Sequence, residues 1–213
     1  MPEPGILFSY LSAFVTIVLA VAFADMAASL HRLLRARKRV KWHPLPLAFA
    51  FFMLLTLITL FFEIWPLTRI ERVTYFQLVW LLAPQFIYFL AASAVLPDKV
   101  PDEGLDLLAW YMAERWYAIG VVGLAFLVDF VAQLLDGWHF FMTHSDFFWA
   151  FFIPANLAVF ALLGIMWVSG RTWVHGLAVA GLFALAWIGY RSWSIEGRPA
   201  VVKAESPAAN LKK

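Results

Sequence analysis

The sequence predicts an all-α fold, a polytopic membrane helix bundle with about six transmembrane helices. Three observations carry that reading. The 213 residues are 63% hydrophobic and only 14% charged, with a mean hydropathy of +0.79. A soluble chain has about 25% charged residues, and a single core of this size has no room to hide so much apolar surface from water. Charged residues also divide most of the chain into uncharged runs of spanning length. Those runs are continuously apolar rather than alternating, which excludes a closed barrel and leaves helices to satisfy the backbone in lipid.

The first expected span, 5–31, contains the uncharged run 4–24 between Glu3 and Asp25. The second, 44–65, contains the run 42–62 between Lys41 and Glu63; Pro44 and Pro46 open it, Pro66 closes it, and Trp42 and Trp65 flank it. The third, 74–96, lies within the run 73–97 between Arg72 and Asp98 and is closed by Pro97. A fourth, 116–137, is interrupted only by Asp129. The fifth and sixth, 147–169 and 172–193, are separated by Arg171, with Trp173 and Trp193 bracketing the last. Trp138 and Trp149 bracket the loop before the fifth. Tryptophan gathers at headgroup level because its ring is apolar while its N–H wants a partner. Residues 1–193 thus form one bundle, and the polar stretch 194–213 reads as a disordered tail.

Lysine and arginine set the expected orientation. The first loop holds Arg32, Arg35, Arg37, Lys38, Arg39 and Lys41, which places it in the cytoplasm and the N-terminus outside. The third and fifth loops, with Lys99 and Arg171, then face the cytoplasm too. The second loop, with Arg69 and Arg72, and the fourth, with no basic residue, face out. An even helix count puts the tail outside as well, against its own cations Arg191, Arg198, Lys203, Lys212 and Lys213. Ala22-Phe23-Ala24 resembles a signal-peptide cleavage site, but Met1–Gly5 has no positive charge, so the first run is read as a span.

Polar residues meet at one depth. At about 1.5 Å per residue, Asp129 lies about 12 Å in from Gly137, Gln85 about 16 Å in from Thr74, and Asn156 about 13 Å in from Phe147. Thr56 and Thr59 on the second span, with Ser12 and Thr16 on the first, share this layer. Pro84 and Pro154 are expected to kink the third and fifth helices beside Gln85 and Asn156. On the fourth helix, Glu114, Ala118, Val122, Ala125, Asp129, Gln133 and Asp136 share one face, with Phe126 and Phe130 off it. No Lys or Arg shares the depth of Asp129, so a protonated acid or a bound cation is expected there rather than an ion pair. Intramembrane carboxylates point first to ion or proton pathways. The competing reading is a protonated Asp129 hydrogen-bonded to Asn156 or Gln85 that holds the helices together.

Other features point to no catalyst. Zero cysteines exclude disulfides, thiolate metal sites, iron–sulfur clusters and a cysteine nucleophile. The sequence lacks a phosphate-binding P-loop, H-E-x-x-H and G-x-S-x-G. Ser169-Gly170 with His175 lacks the glycine an intramembrane serine protease needs where Trp167 stands, and no span holds a lysine for a Schiff base. Asp98, Asp102 and Asp106, with Glu103 among them, form a weak Mg²⁺ candidate, although Asp102 and Glu103 more simply cap a helix after Pro101. His31 and His175 form a weak haem pair. No cofactor is expected. The net charge of +2 gives no sign of a nucleic-acid partner.

Residues 33–47, from Leu33-Leu34-Arg35 through Trp42-His43-Pro44-Leu45-Pro46-Leu47, and Pro101-Asp102-Glu103-Gly104-Leu105-Asp106-Leu107 with Tyr111, Arg115, Trp116 and Tyr117 resemble small bacterial multi-pass membrane proteins. The resemblance implies a bacterial inner membrane and no particular activity. Two function classes are therefore expected. One is permeation of a small cation, or proton-coupled transport, through a layer of Asp129, Asn156, Gln85, Thr59 and Gln133. The other is a non-catalytic accessory or scaffold subunit, whose partners are the lipid bilayer, a second copy, or another membrane protein.

Overall fold

The computed structural model describes residues 6–63, 73–136 and 142–191. Within them the chain forms α1 (Ile6–Arg35), β1 (Val40–Lys41), α2 (Pro44–Glu63), α3 (Tyr75–Ala94), β2 (Leu105–Asp106), α4 (Leu107–Asp136), α5 (Ile153–Val168) and α6 (Thr172–Tyr190). A short helical turn, Ser145–Phe147, and a π-helical turn, Phe148–Phe152, lead into α5. The fold is all-α, with six helices long and apolar enough to cross a membrane. Trp65, Pro66, Arg69, Arg72, Trp138, Trp193 and the tail 194–213 lie outside the described residues.

Local chemistry explains the helix starts. Thr74 and Gln77 close a capping box on α3: the Gln77 N–H donates to Thr74 Oγ1 at 3.3 Å, and the Thr74 N–H donates to Gln77 Oε1 at 2.9 Å. Asp106 caps α4 by accepting the Leu108 and Ala109 N–H groups at 3.1 and 3.0 Å. His43 Nδ1 accepts the Leu45 N–H at the start of α2. Arg32 and Arg35 fall in the last turn of α1, where cations suit the helix dipole.

Two helices exceed their expected bounds: α1 continues to Arg35 rather than ending near 31, and α4 begins at Leu107 rather than near 116. Charges at Glu114 and Arg115 mark a boundary in the sequence, but the Asp106 cap carries the helix beyond it. Pro84 sits inside α3, which runs unbroken from Tyr75 to Ala94. Pro154 lies just after the π-helical turn Phe148–Phe152, which runs into α5 without a break, Phe152 keeping helical backbone at φ −62° and ψ −53°.

The helices pack in a ring, α1–α3–α4–α5–α6–α2, and α2 also reaches inward to touch α3 and α4. Half of the α2 membrane window is buried inside the bundle, against 17–28% for the other five, so α2 is the central helix. Its Phe49, Met53, Leu57 and Leu60 recur at helical spacing and are fully buried. Around them lie Val15, Leu19, Ala22 and Met26 of α1, and Tyr88, Ala91 and Ala92 of α3. Ile119, Val122 and Ala125 of α4 and Leu182 of α6 complete the shell. Phe52 of α2 stacks on Phe126 of α4 with ring centroids 6.2 Å apart, and Phe183 of α6 meets Phe52 edge-on at 5.9 Å.

Candidate functional site

Asp129 is partly buried in α4, and its Oδ2 is the meeting point of two donors. Gln133, one turn along the same helix, donates Nε2–H at 2.8 Å, and the Tyr88 hydroxyl of α3 donates at 3.4 Å. Tyr88 is fully buried, and its ring packs edge-on against Phe126 at 5.8 Å. Ala118, Val122 and Ala125 on the same α4 face are buried as well, while Glu114 is exposed. No cation pairs with Asp129 among the described residues. The carboxylate is thus held by neutral donors from two helices, a setting in which protonation or a bound cation can balance its charge.

Among the described residues, no hydrogen bond joins the rest of the expected layer to Asp129. Asn156 donates Nδ2–H to its own helix at Phe152 O, 2.9 Å away, across the π-helical turn. Thr56 and Thr59 donate to the Phe52 and Thr56 carbonyls of α2 at 3.0 and 2.7 Å, and Ser12 to Ser9 O at 3.2 Å. These are local back-bonds that short polar side chains make in any helix. Gln85 is buried one turn before Tyr88 on the same helix, and its Oε1 has no hydrogen-bond partner. Trp80 Nε1, further back on α3, is likewise buried without a partner. Phe126 and Phe130, the large aromatics of α4 nearest Asp129, both pack against other rings. Phe126 fills the core beside the acid, and Phe130 stacks on Phe152 at 5.6 Å.

The acidic ladder of the third loop has a structural role. Asp98, Asp102 and Asp106 do not converge; each meets a different cation of the first loop. Arg32 Nη2 lies 3.3 Å from Asp98 Oδ1, Arg39 Nη1 2.7 Å from Asp102 Oδ1, and Lys41 Nζ 2.8 Å from Asp106 Oδ2. The buried hydroxyl of Ser29 donates to Asp98 Oδ1 at 3.4 Å and accepts from Arg32 Nη2 at 2.8 Å. Val40 and Lys41 pair in parallel with Leu105 and Asp106. Gly104, at φ +103°, turns the chain so that the Leu105 N–H reaches Arg39 O at 2.9 Å. The Lys41 ammonium, with the Ala109 and Leu108 N–H groups, holds the Asp106 carboxyl below its ordinary range. The same contact with Asp106 raises the Lys41 ammonium. No group of three or more His, Asp or Glu side chains among the described residues is placed to hold a metal.

A second buried polar contact escaped sequence reasoning. Tyr111 of α4 and His175 of α6 are both fully buried, with the phenol oxygen 2.9 Å from His175 Nδ1. His175 Nε2 lies 2.9 Å from Ser169 O. A carbonyl offers no proton, so Nε2 carries the hydrogen, and in the neutral ring Nδ1 accepts from Tyr111. With both ring nitrogens occupied and His31 exposed on α1, the two histidines form no haem pair. Nearby, Trp167 Nε1 donates to Trp116 O at 3.2 Å, and the Arg115 guanidinium lies 5.2 Å from the Trp116 ring centroid.

These contacts gather the first, third and fifth loops at one end of the bundle. The start of α1 and the end of α6 therefore share the opposite end. In comparisons with known proteins, no family model matches the chain, and no curated protein or solved structure matches it. Among the described residues, six helices are long and apolar enough to cross a membrane, and Asp129 is a partly buried carboxylate held between two of them.

Proposed function

We propose that this protein accepts and releases a proton or small cation at Asp129 as part of permeation or coupled transport across a bacterial inner membrane. The observation that carries the reading is the convergence of Gln133 and Tyr88 on Asp129 Oδ2, from two helices and with no cation paired to it among the described residues. Tyr88 and Gln133 orient the acid. Gln85, one turn away with an open acceptor, is the next polar group along α3. In this orientation the loop holding Arg32–Lys41 faces the cytoplasm, by the positive-inside rule.

A second reading is favoured by a specific observation. Asn156, Thr56 and Thr59 bond to their own helices rather than to Asp129, and half of the α2 membrane window is buried inside the bundle. That arrangement suits a non-catalytic accessory subunit whose acid fastens α4 to α3. Partners in that case are the bilayer with a second copy or another membrane protein. Neither reading involves catalysis or a cofactor.

Flux into proteoliposomes under imposed proton, Na⁺ and K⁺ gradients separates them. Transport predicts flux in the wild type that disappears in Asp129→Asn while the protein stays monodisperse. Absence of flux from folded wild type under all three gradients excludes permeation of those ions and leaves the accessory reading.

A further inference from the structure

The first loop carries six cations, but its ion pairs use only Arg32, Arg39 and Lys41. Arg35, Arg37 and Lys38 are exposed and make no ion pair among the described residues. They sit on one hydrogen-bonded turn. The Ala36 N–H donates to Arg32 O at 3.1 Å, Arg37 N–H to Leu34 O at 3.2 Å and Arg39 N–H to Ala36 O at 2.8 Å. With Ala36 and Arg39 these three side chains line an open notch of about 400 Å³.

We propose that this turn binds the phosphate of an anionic phospholipid headgroup. The inference is independent of the Asp129 reading. Between Arg32 and Lys41 and between Asp98 and Asp106, seven cations face four carboxylates. The three paired carboxylates are taken up by Arg32, Arg39 and Lys41, Asp102 through Arg39 at the edge of the notch, so the unpaired positive charge of the first loop lies on Arg35, Arg37 and Lys38. Arginine's planar fork matches two phosphate oxygens at once, and lysine adds a point charge. The turn follows directly on α1, a helix long enough to cross the bilayer, and Trp42 is exposed just beyond it. Headgroup phosphate occupies that depth, which is the reason to assign the notch to lipid rather than to a free anion.

The test uses the full chain in neutral detergent. It is titrated with short-chain phosphatidylglycerol or phosphatidylcholine, and bound lipid is counted by native mass spectrometry. The expected result is a preference for phosphatidylglycerol that falls about fivefold on Arg37→Gln or Lys38→Gln, and about a hundredfold when Arg35, Arg37 and Lys38 are all glutamine. Lys99→Gln, an equal loss of charge outside the turn, leaves the preference within about twofold if the site is local rather than a diffuse field. A triple variant that keeps the preference, or a Lys99→Gln loss as large as that of Lys38→Gln, overturns the site. Displacement of phosphatidylglycerol by equimolar inorganic phosphate overturns the lipid assignment. Should the triple variant fail to fold, the wild type decides. Its preference is expected to collapse in about 0.5 M ammonium acetate, where exposed charges are screened beyond a few ångströms, and persistence there overturns the proposal.

Discussion

Replacing Gly104 with alanine tests whether the clamp between the first and third loops is a built part of the fold. The glycine holds φ +103°, a conformation that L side chains rarely adopt, and a Cβ there meets Arg39 O at 2.9 Å. Positive φ costs a non-glycine residue about 1–2 kcal/mol. The contact cannot relax freely, because Arg39 O also accepts the Leu105 N–H at 2.9 Å, the bond that seats β2 against β1. Loosening that bond costs about 1 kcal/mol more. Alanine restricts the unfolded chain and returns about 0.4–1 kcal/mol. The net expectation is a destabilisation of about 2 kcal/mol. Equilibrium unfolding of the purified protein in mixed detergent micelles reads it, with Glu103→Ala, at an exposed neighbour outside the ion pairs, as the reference. A Gly104→Ala protein as stable as the Glu103→Ala protein refutes the reasoning and makes the loop pairing incidental.

The Lys41–Asp106 pair gives a pH dependence. The folded Asp106 carboxyl lies below its ordinary range, so its contribution is complete above that range and is lost as pH falls from about 4 toward the lowered value. Asp106→Asn should flatten that part of the stability–pH curve, and an unchanged slope excludes the contact as its source. Tyr111→Phe keeps the edge-on ring contact with Phe49 at 6.0 Å but leaves His175 Nδ1 without its donor. A loss of about 1–2 kcal/mol is expected, and a double-mutant cycle with His175→Phe should show the two costs to be non-additive. Gln85→Leu removes a buried carbonyl oxygen that has no partner, so the variant should be about 1 kcal/mol more stable. Lower stability there would reveal a partner for the amide.

How much of this was legible in the sequence follows from the range of each interaction. Helix identity was legible because uncharged runs of spanning length leave the backbone no other solution in lipid. Asp129 with Gln133 was legible too, since residues four apart share a helix face. Tyr88 was not, because the face of α3 that meets α4 is decided by packing between helices, here of the Tyr88 ring on Phe126. Depth alone placed Asn156, Thr56 and Thr59 with Asp129, but short polar side chains find a carbonyl one turn away before they reach another helix. The start of α4 was missed because Glu114 and Arg115 read as an interface, whereas Leu107 and Tyr111 beneath them are buried. The aspartates at 98, 102 and 106 showed a helix-like spacing of their own. Nothing local pointed to their partners in another loop.

The clamp also separates two periods in the life of the same charges. Its ion pairs join residues 63 and 66 positions apart, Arg39 with Asp102 and Arg32 with Asp98. Neither pair can exist until the ribosome has made the third loop, by which time α1 and α2 have already emerged. While the first hairpin is being sorted between the two sides of a membrane, all six cations of its loop are uncompensated. Once the third loop arrives, half of them are neutralised and become fasteners. On the proposed topology, one stretch of chain thus serves first as an address, read at full charge, and afterwards as a joint.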